Sequence, residues 1–290
     1  MLGGLTESIA SSGPVVHITA LPLFKIHGIV ITNSMFYGWI CALIITVFLI
    51  IIAHKVTIKP RGGIVGVVEA GVDFIANLVE SSFDDPKRGR KYVPYFVTLF
   101  FFIVLNNWLG LVPGVGTSVT LHGNPLLRPF TGDLNATLAA GVVTMGVVYA
   151  SSIREAGIKR YLKHFFIGSP LNPLYLLLGI IEIFTDATRV ISLSIRLFLN
   201  VTIGEIVIAV FAYLGGFLAP LTATPFYLLE LFVGALQAYI FVILSTMYLA
   251  IAINHAVSEG DLTDGAIPET MSLAPEKAWW VLLEVVKIRY

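Results

Sequence analysis

The sequence predicts an all-α membrane protein: five membrane-embedded helices, including a long tilted helical hairpin, plus one amphipathic surface helix. Three observations carry this. Hydrophobic residues fill 57% of the 290 positions and charged residues only 12%, about half the charge of an ordinary soluble domain. Mean hydropathy is +0.88. Apolar runs long enough to cross a hydrocarbon core of about 30 Å recur along the chain, separated by short polar stretches.

Residues 1–34 lack the basic start and continuous apolar centre of a secretory signal and are expected to form an external N-terminal segment. Met35–Ala53 carries no charge and predicts the first span. In Gly62–Ser82, Glu69, Asp73, Asn77 and Glu80 recur at helical spacing opposite Val and Ile. That pattern predicts an amphipathic helix on the membrane surface. The stretch contains no Lys-Ser/Thr pair, so it is a poor phosphate loop. Val93–Leu111 and Leu134–Ser151 predict the second and third spans. Leu171–Tyr213 is forty-three residues long, about 64 Å as a helix and twice the bilayer thickness, so it must tilt, bend or break. Leu214–Thr224, with Gly215, Gly216 and Pro220, reads as a turn, and Pro225–Ala252 as the returning span. The membrane-embedded domain is expected over 35–256 and a cytoplasmic tail over 257–290, with one short amphipathic helix near Ala278–Val286.

Basic residues orient the spans, because short loops rich in Lys and Arg stay in the cytoplasm. Eleven of the eighteen lie in two stretches: Lys55 to Lys91, and Arg154 to Lys163. The connection Val112–Asp133 has only Arg128, and Leu214–Thr224 has no charge. Five spans with the amino terminus outside satisfy every loop.

Within the long segment one arginine, Arg196, stands at bilayer depth, where a charge costs at least about 2.5 kcal/mol. At 100° per residue, Glu182, Asp186, Arg189, Arg196 and Asn200 fall on one stripe, whereas Glu205 lies about 140° from Glu182 and faces another neighbour. On the last span Glu230 and Gln237 share a side with Gly234, which admits a close helix, and with bulky Phe241. Depth sorts these groups. Glu182, Asp186 and Arg189 lie toward the cytoplasm, Arg196, Asn200 and Gln237 near the middle, and Glu205 and Glu230 toward the outside. Two carboxylate-lined routes, one from each side and separated by a cation, carry protons halfway and block a straight leak.

Other readings are weighed against this one. Asp186 and Arg189 can simply neutralise each other at helical spacing. Asn107 can either glue helices or line a route. Arg196 can pair with Glu205 or Glu182. Zero formal charge argues against a nucleic-acid partner, and no histidine pair has metal-ligand spacing, so neither metal nor cofactor is expected. Cys41 reads as a small buried hydrophobe. An ion-coupled secondary transporter would show internal repeats, and none is found. An intramembrane hydrolase would need a motif such as Gly-x-Ser-x-Gly or His-Glu-x-x-His, and neither occurs.

The runs Ser192-Leu-Ser-Ile-Arg-Leu-Phe-Leu-Asn200, continuing to Gly204-Glu205-Ile206, and Leu236-Gln-Ala-Tyr-Ile-Phe-Val-Ile-Leu244 resemble the two signature regions of subunit a of F-type ATP synthases. Asn107-Trp-Leu-Gly-Leu-Val-Pro113 resembles that family's second-span motif. The likeness covers roughly Met35 to Ala256. It implies a stator subunit that forms two offset proton half-channels against a ring of c subunits, with no cofactor of its own. Arg196 would be the essential arginine facing the ring carboxylate and Gln237 its neighbour on the last helix, with Asn200 beside them. Glu205 and Glu230 would belong to the outer half-channel together with Asn107, and Glu182 to the cytoplasmic route. The implied partners are the c-subunit ring, b-type peripheral stalk subunits, the F1 sector indirectly and the lipid bilayer, in a bacterial plasma membrane. The chain departs from the pattern at Leu199, where glycine is usual, at Val190, where proline is common, at the added acid Asp186, and in having glutamate at both outer positions.

Overall fold

The computed structural model describes residues 20–26, 29–56, 62–112, 114–115, 120–121, 124–125, 127–157 and 173–263. The tail helix expected over 278–286 lies outside these residues, as do Lys59, Arg61, Lys159, Arg160 and Lys163.

Before the first span the chain forms an antiparallel ribbon, β1 (Pro22–Ile26) and β2 (Ile29–Thr32), in register Lys25 to Val30. The sequence reading assigned no strand here, because two short strands carry too few residues to show a period of two. The ribbon leads directly into α1 (Asn33–Lys55), whose N-cap Thr32 accepts from the Met35 amide at 3.4 Å. Asn33 ties the junction shut, since its Oδ1 accepts from the Leu21 amide at 3.1 Å and its own amide donates to the Leu21 carbonyl at 3.0 Å.

The expected surface helix is α2 (Ile64–Ser81), entered through Gly63 at φ +87°, a conformation that glycine adopts without penalty. Ile75 and Val79 are buried, whereas Ile64, Val67 and Phe74 remain exposed. A short α3 (Pro86–Arg90) follows, capped by Asp85, which accepts from the Lys87 amide at 3.0 Å, and started by proline in the first turn. The span α4 (Val93–Gly110) comes next. A second ribbon, β3 (Thr120–Leu121) with β4 (Asn124–Pro125), and a single 3-10 turn (Phe130–Gly132) occupy the next connection. Then α5 (Leu134–Ala156) starts on the Asp133 cap and stops at Gly157, φ +81°.

The two longest helices follow. α6 spans Pro173–Gly215, forty-three residues, and α7 spans Ala219–Thr263. Only the 3-10 turn Gly216–Leu218 separates them, with Gly216 at φ +50°. The turn is therefore tighter than the expected Leu214–Thr224, because α7 begins six residues before Pro225. Pro220 sits in its first turn, where a missing N–H costs little, and Pro225 lies inside the helix. Thr222 staples the turn, its Oγ1 donating to the Phe211 carbonyl at 2.9 Å, and Phe211 stacks on Phe226 with centroids 3.9 Å apart.

Among the described residues α1, α4, α5 and the α6–α7 pair are long and apolar enough to cross a membrane, so the chain is an all-α membrane protein built on a long helical hairpin. One core cluster gathers Ile75, Val79, Phe96, Met145, Val148, Val242, Leu249 and Ile253 from α2, α4, α5 and α7, with Phe83 from the connection after α2. A second, from α4, α6 and α7, packs Ile103, Val104, Leu193, Leu197, Ala238 and Phe241. Lys91 binds Glu155 at 2.5 Å, which sets the start of α4 and the end of α5 at the same edge of the bundle, next to the basic residues of α3.

Candidate functional site

The second core cluster fixes the rotation of α6. Leu193 and Leu197 point into it, each about 2% exposed or less, so the residue beside Leu197 must face away. Arg196 lies in an open pocket of about 460 Å³ walled by Ser192, Ile195, Leu199, Asn200 and Gln237. Its Nη2 reaches the Ser192 Oγ at 3.5 Å, a marginal hydrogen bond. Among the described residues it makes no ion pair, so neither Glu205 nor any other carboxylate there neutralises it. Leu199, Ile195 and Leu236 around it are exposed apolar side chains. Leu199 thus forms one wall of this pocket.

Gln237 is buried at 5% exposure, and among the described residues its Nε2 donates no hydrogen bond and the buried Nδ2 of Asn200 likewise finds no acceptor. Both amides reach the arginine's pocket from facing helices. Toward the basic edge, Asp186 and Arg189 pair at 2.8 Å, and the Arg189 guanidinium sits 4.9 Å from the Tyr248 ring centre. The neutralising reading of these two charges holds. Glu182 stands on α6 one turn before Asp186, and its side chain lies outside the described residues.

Glu205 and Glu230 meet at the other end. Glu230 is 9% exposed, and its carboxylate rests where a side chain on Gly204 would otherwise sit. Gly204 is what allows α7 to bring that carboxylate against α6, next to Glu205, and the two acids act on each other electrostatically. Glu205 points away from Arg196: a Cβ built on Gly132 would lie 3.7 and 3.8 Å from its two carboxylate oxygens. The 3-10 turn before α5 is therefore the separate neighbour that the helical geometry demanded.

Asn107 bridges helices. Its Nδ2 donates to the Gly234 carbonyl at 3.0 Å, and Trp108 Nε1 donates to the Leu231 carbonyl at 3.0 Å. Gly234 makes this approach possible, since a Cβ there would come within 3.2 Å of the Asn107 Cβ. The Asn107 Oδ1 remains buried and accepts no hydrogen bond among the described residues.

Sequence reasoning missed Arg128, Asp133 and Ser34. Arg128 is 5% exposed and donates from Nη2 to the Gly132 carbonyl at 2.7 Å. Asp133 caps α5 through the Asn135 amide at 3.0 Å and also accepts from the Ser34 hydroxyl at the start of α1. The turn is held in place by Phe130, whose ring lies against Gly38 of α1 and meets Phe102 of α4 edge-on. A charge in a connecting loop carries no periodicity, so only its burial reveals it.

The arrangement is a mid-helix cation open to one side, flanked by amides, with a close acid pair toward one end of the hairpin. Known proteins resemble the chain over most of its length. The ATP synthase A chain family matches residues 35–250. "ATP synthase subunit a 2" of Chlorobaculum tepidum is 34% identical over 258 residues, covering 82% of this chain and 68% of that protein. "ATP synthase subunit a" of Sulfurihydrogenibium sp. is 34% identical over 214 residues, covering 74% of this chain and 93% of the relative. The subunit of the same name in Moorella thermoacetica is 31% identical over 237 residues, covering 81% and 97%. The chain belongs to the ATP synthase A chain family: it is a multi-pass membrane subunit that works with the rest of an F-type complex in ATP synthesis and proton transport, not an enzyme on its own.

Proposed function

We propose that the chain is the stationary half of a rotary proton path, with two offset half-channels that meet a turning ring of c subunits at Arg196. The observation that carries this reading is the arginine itself. It sits about 28 Å along α6 from the hairpin turn, without an ion-pair partner among the described residues, in a pocket rimmed by exposed apolar side chains. A guanidinium cannot be left against hydrocarbon at that depth. What covers it must be protein with an apolar surface and an anionic group, and a ring of small subunits, each carrying one carboxylate, meets both demands.

Protons enter from outside by way of Glu205 and Glu230, past Asn107, and neutralise a ring carboxylate. The ring then turns. When that carboxylate comes round to Arg196, the cation's field favours its ionised form and the proton leaves along the route of Glu182. Gln237 and Asn200, whose buried amide groups share the arginine's pocket, hold its head in position. One charge crossing 100 mV supplies about 2.3 kcal/mol, so several must be coupled to each ATP made elsewhere in the complex. In this reading residues 1–34 lie outside and 35–256 form the channel domain. Residues 257–290 extend into the cytoplasm, with α7 running on to Thr263, and the membrane is a bacterial inner membrane. The b-type stalk subunits anchor the chain, and contact with the F1 sector is indirect.

A subunit-resolved mass spectrum of the intact complex tests the partner. The expected result is this chain together with multiple copies of one small hairpin protein. Recovery of the chain as a self-contained transporter without such copies would contradict the proposal.

A further inference from the structure

Arg128 comes from a connecting loop, yet it is more deeply buried than Arg196 and stands among acids. Two carboxylates act on it, Asp133 before α5 and Glu205 on α6, and Glu230 on α7 acts in turn on Glu205. α1 contributes the neutral hydroxyl of Ser34, and α4 the neutral amide of Asn107. Asp133 is already committed, capping α5 and accepting from Ser34. Glu205 is the acid left facing the turn, its two oxygens resting over Gly132, whose carbonyl Arg128 holds at 2.7 Å.

We propose that Arg128 is a positioning residue of the outer proton entrance, a buried cation that sets how readily the Glu205–Glu230 pair gives up its proton. The proposal rests on the outer-route reading given above. Burial works against the charged form of Arg128 and lowers its pKa from the ordinary value, while Glu205 and Asp133 oppose that effect. An arginine stays protonated under such conditions, so the entrance keeps a permanent positive charge. A cation beside a carboxylate favours the ionised form, and a second carboxylate beside it disfavours double ionisation. With both present the pair holds one proton loosely. With Arg128 neutral, the same pair would hold its proton too tightly to pass it on at ordinary external pH. Pro129 and Phe130 fix the turn that aims the guanidinium, which explains why the charge can act from outside the two long helices.

The test uses the complete synthase in sealed vesicles, with proton flux followed by an internal pH dye while the pH on the outer-route side is varied. Arg128→Gln should move the midpoint of the flux profile upward by about one pH unit, the size expected from losing a nearby opposite charge. Arg128→Lys should keep the midpoint near that of the unaltered complex. If both variants lower flux at every pH and leave the midpoint in place, Arg128 only braces the turn and the proposal is overturned. Glu205→Gln, measured alongside, separates the two claims. Unchanged flux in that variant removes the outer route and this inference with it, whereas slowed flux with an unmoved Arg128→Gln midpoint removes the inference alone. If Arg128→Gln fails to assemble, Arg128→Gln combined with Glu205→Gln should restore assembly, because it removes both members of the buried pair. Failure of that rescue while Glu205→Gln assembles overturns the pairing.

Discussion

A buried acid against a half-buried one is a different object from two separate acids, and the proposed outer route depends on that difference. Glu230 is 9% exposed and acts directly on Glu205. Two carboxylates so placed titrate as a pair, so one can stay protonated while the other accepts a proton. Replacing either with Gln should slow proton transport partially, and replacing both should reduce it far more than the product of the single effects. Flux in reconstituted vesicles checks this, and simply multiplicative losses would mean that the two work independently. At this scale the sequence was legible wherever a residue belonged to a helix with a known period: Arg196, Asn200 and Gln237 converge on one pocket as their positions on facing helices suggest. Arg128 was illegible because nothing in a loop's composition says which way a side chain turns. Asn107 was half legible, with its helix-bridging bond now clear and its Oδ1 still unengaged among the described residues.

The α6–α7 hairpin and the helices beside it pack at the close approach their small residues allow. Gly204 admits the Glu230 carboxylate, Gly141 of α5 admits the Ser194 hydroxyl, and Gly234 admits Asn107. Gly204→Ala should push the flexible end of Glu230 aside without unfolding the bundle, because the obstructing atoms are a carboxylate rather than backbone. The expected outcome is an assembled complex, by native gel, whose proton flux falls severalfold; unchanged flux would show that the position of Glu230 is immaterial. Element lengths were read closely from hydropathy, with the long segment predicted over Leu171–Tyr213 and observed over Pro173–Gly215. The turn is shorter than glycine and proline content suggests, because these residues mark helix starts as well as loops. Pro220 instead sits in the first turn of α7, where proline is well tolerated. The ribbon before α1 escaped because its strands are shorter than any window that reveals alternation.

Across the whole molecule the charges divide by edge. Lys91, Glu155 and the basic residues of α3 gather at one edge, while Ser34, Arg128 and Asp133 lie with Glu205 and Glu230 toward the other. Under the orientation given by the basic loops, a cysteine at Glu205 should react with an impermeant thiol reagent or silver ion from outside, and one at Glu182 from the cytoplasm. A Cys41→Ser background removes the native thiol. Reversed accessibility would overturn the topology. What joins the two edges is Arg196, an unpaired cation among the described residues, set midway along the hairpin and open toward a partner. Arg196→Ala tests that claim most directly. Complexes carrying it should assemble normally yet make no ATP from an imposed proton gradient, because in the proposed rotary path the ring carboxylate loses its counter-charge and the two routes lose their barrier. Arg196→Lys should fail substantially as well, since a compact ammonium does not reproduce the guanidinium's reach and can lose its proton when desolvated. Normal gradient-driven synthesis by assembled Arg196→Ala complexes would contradict the account.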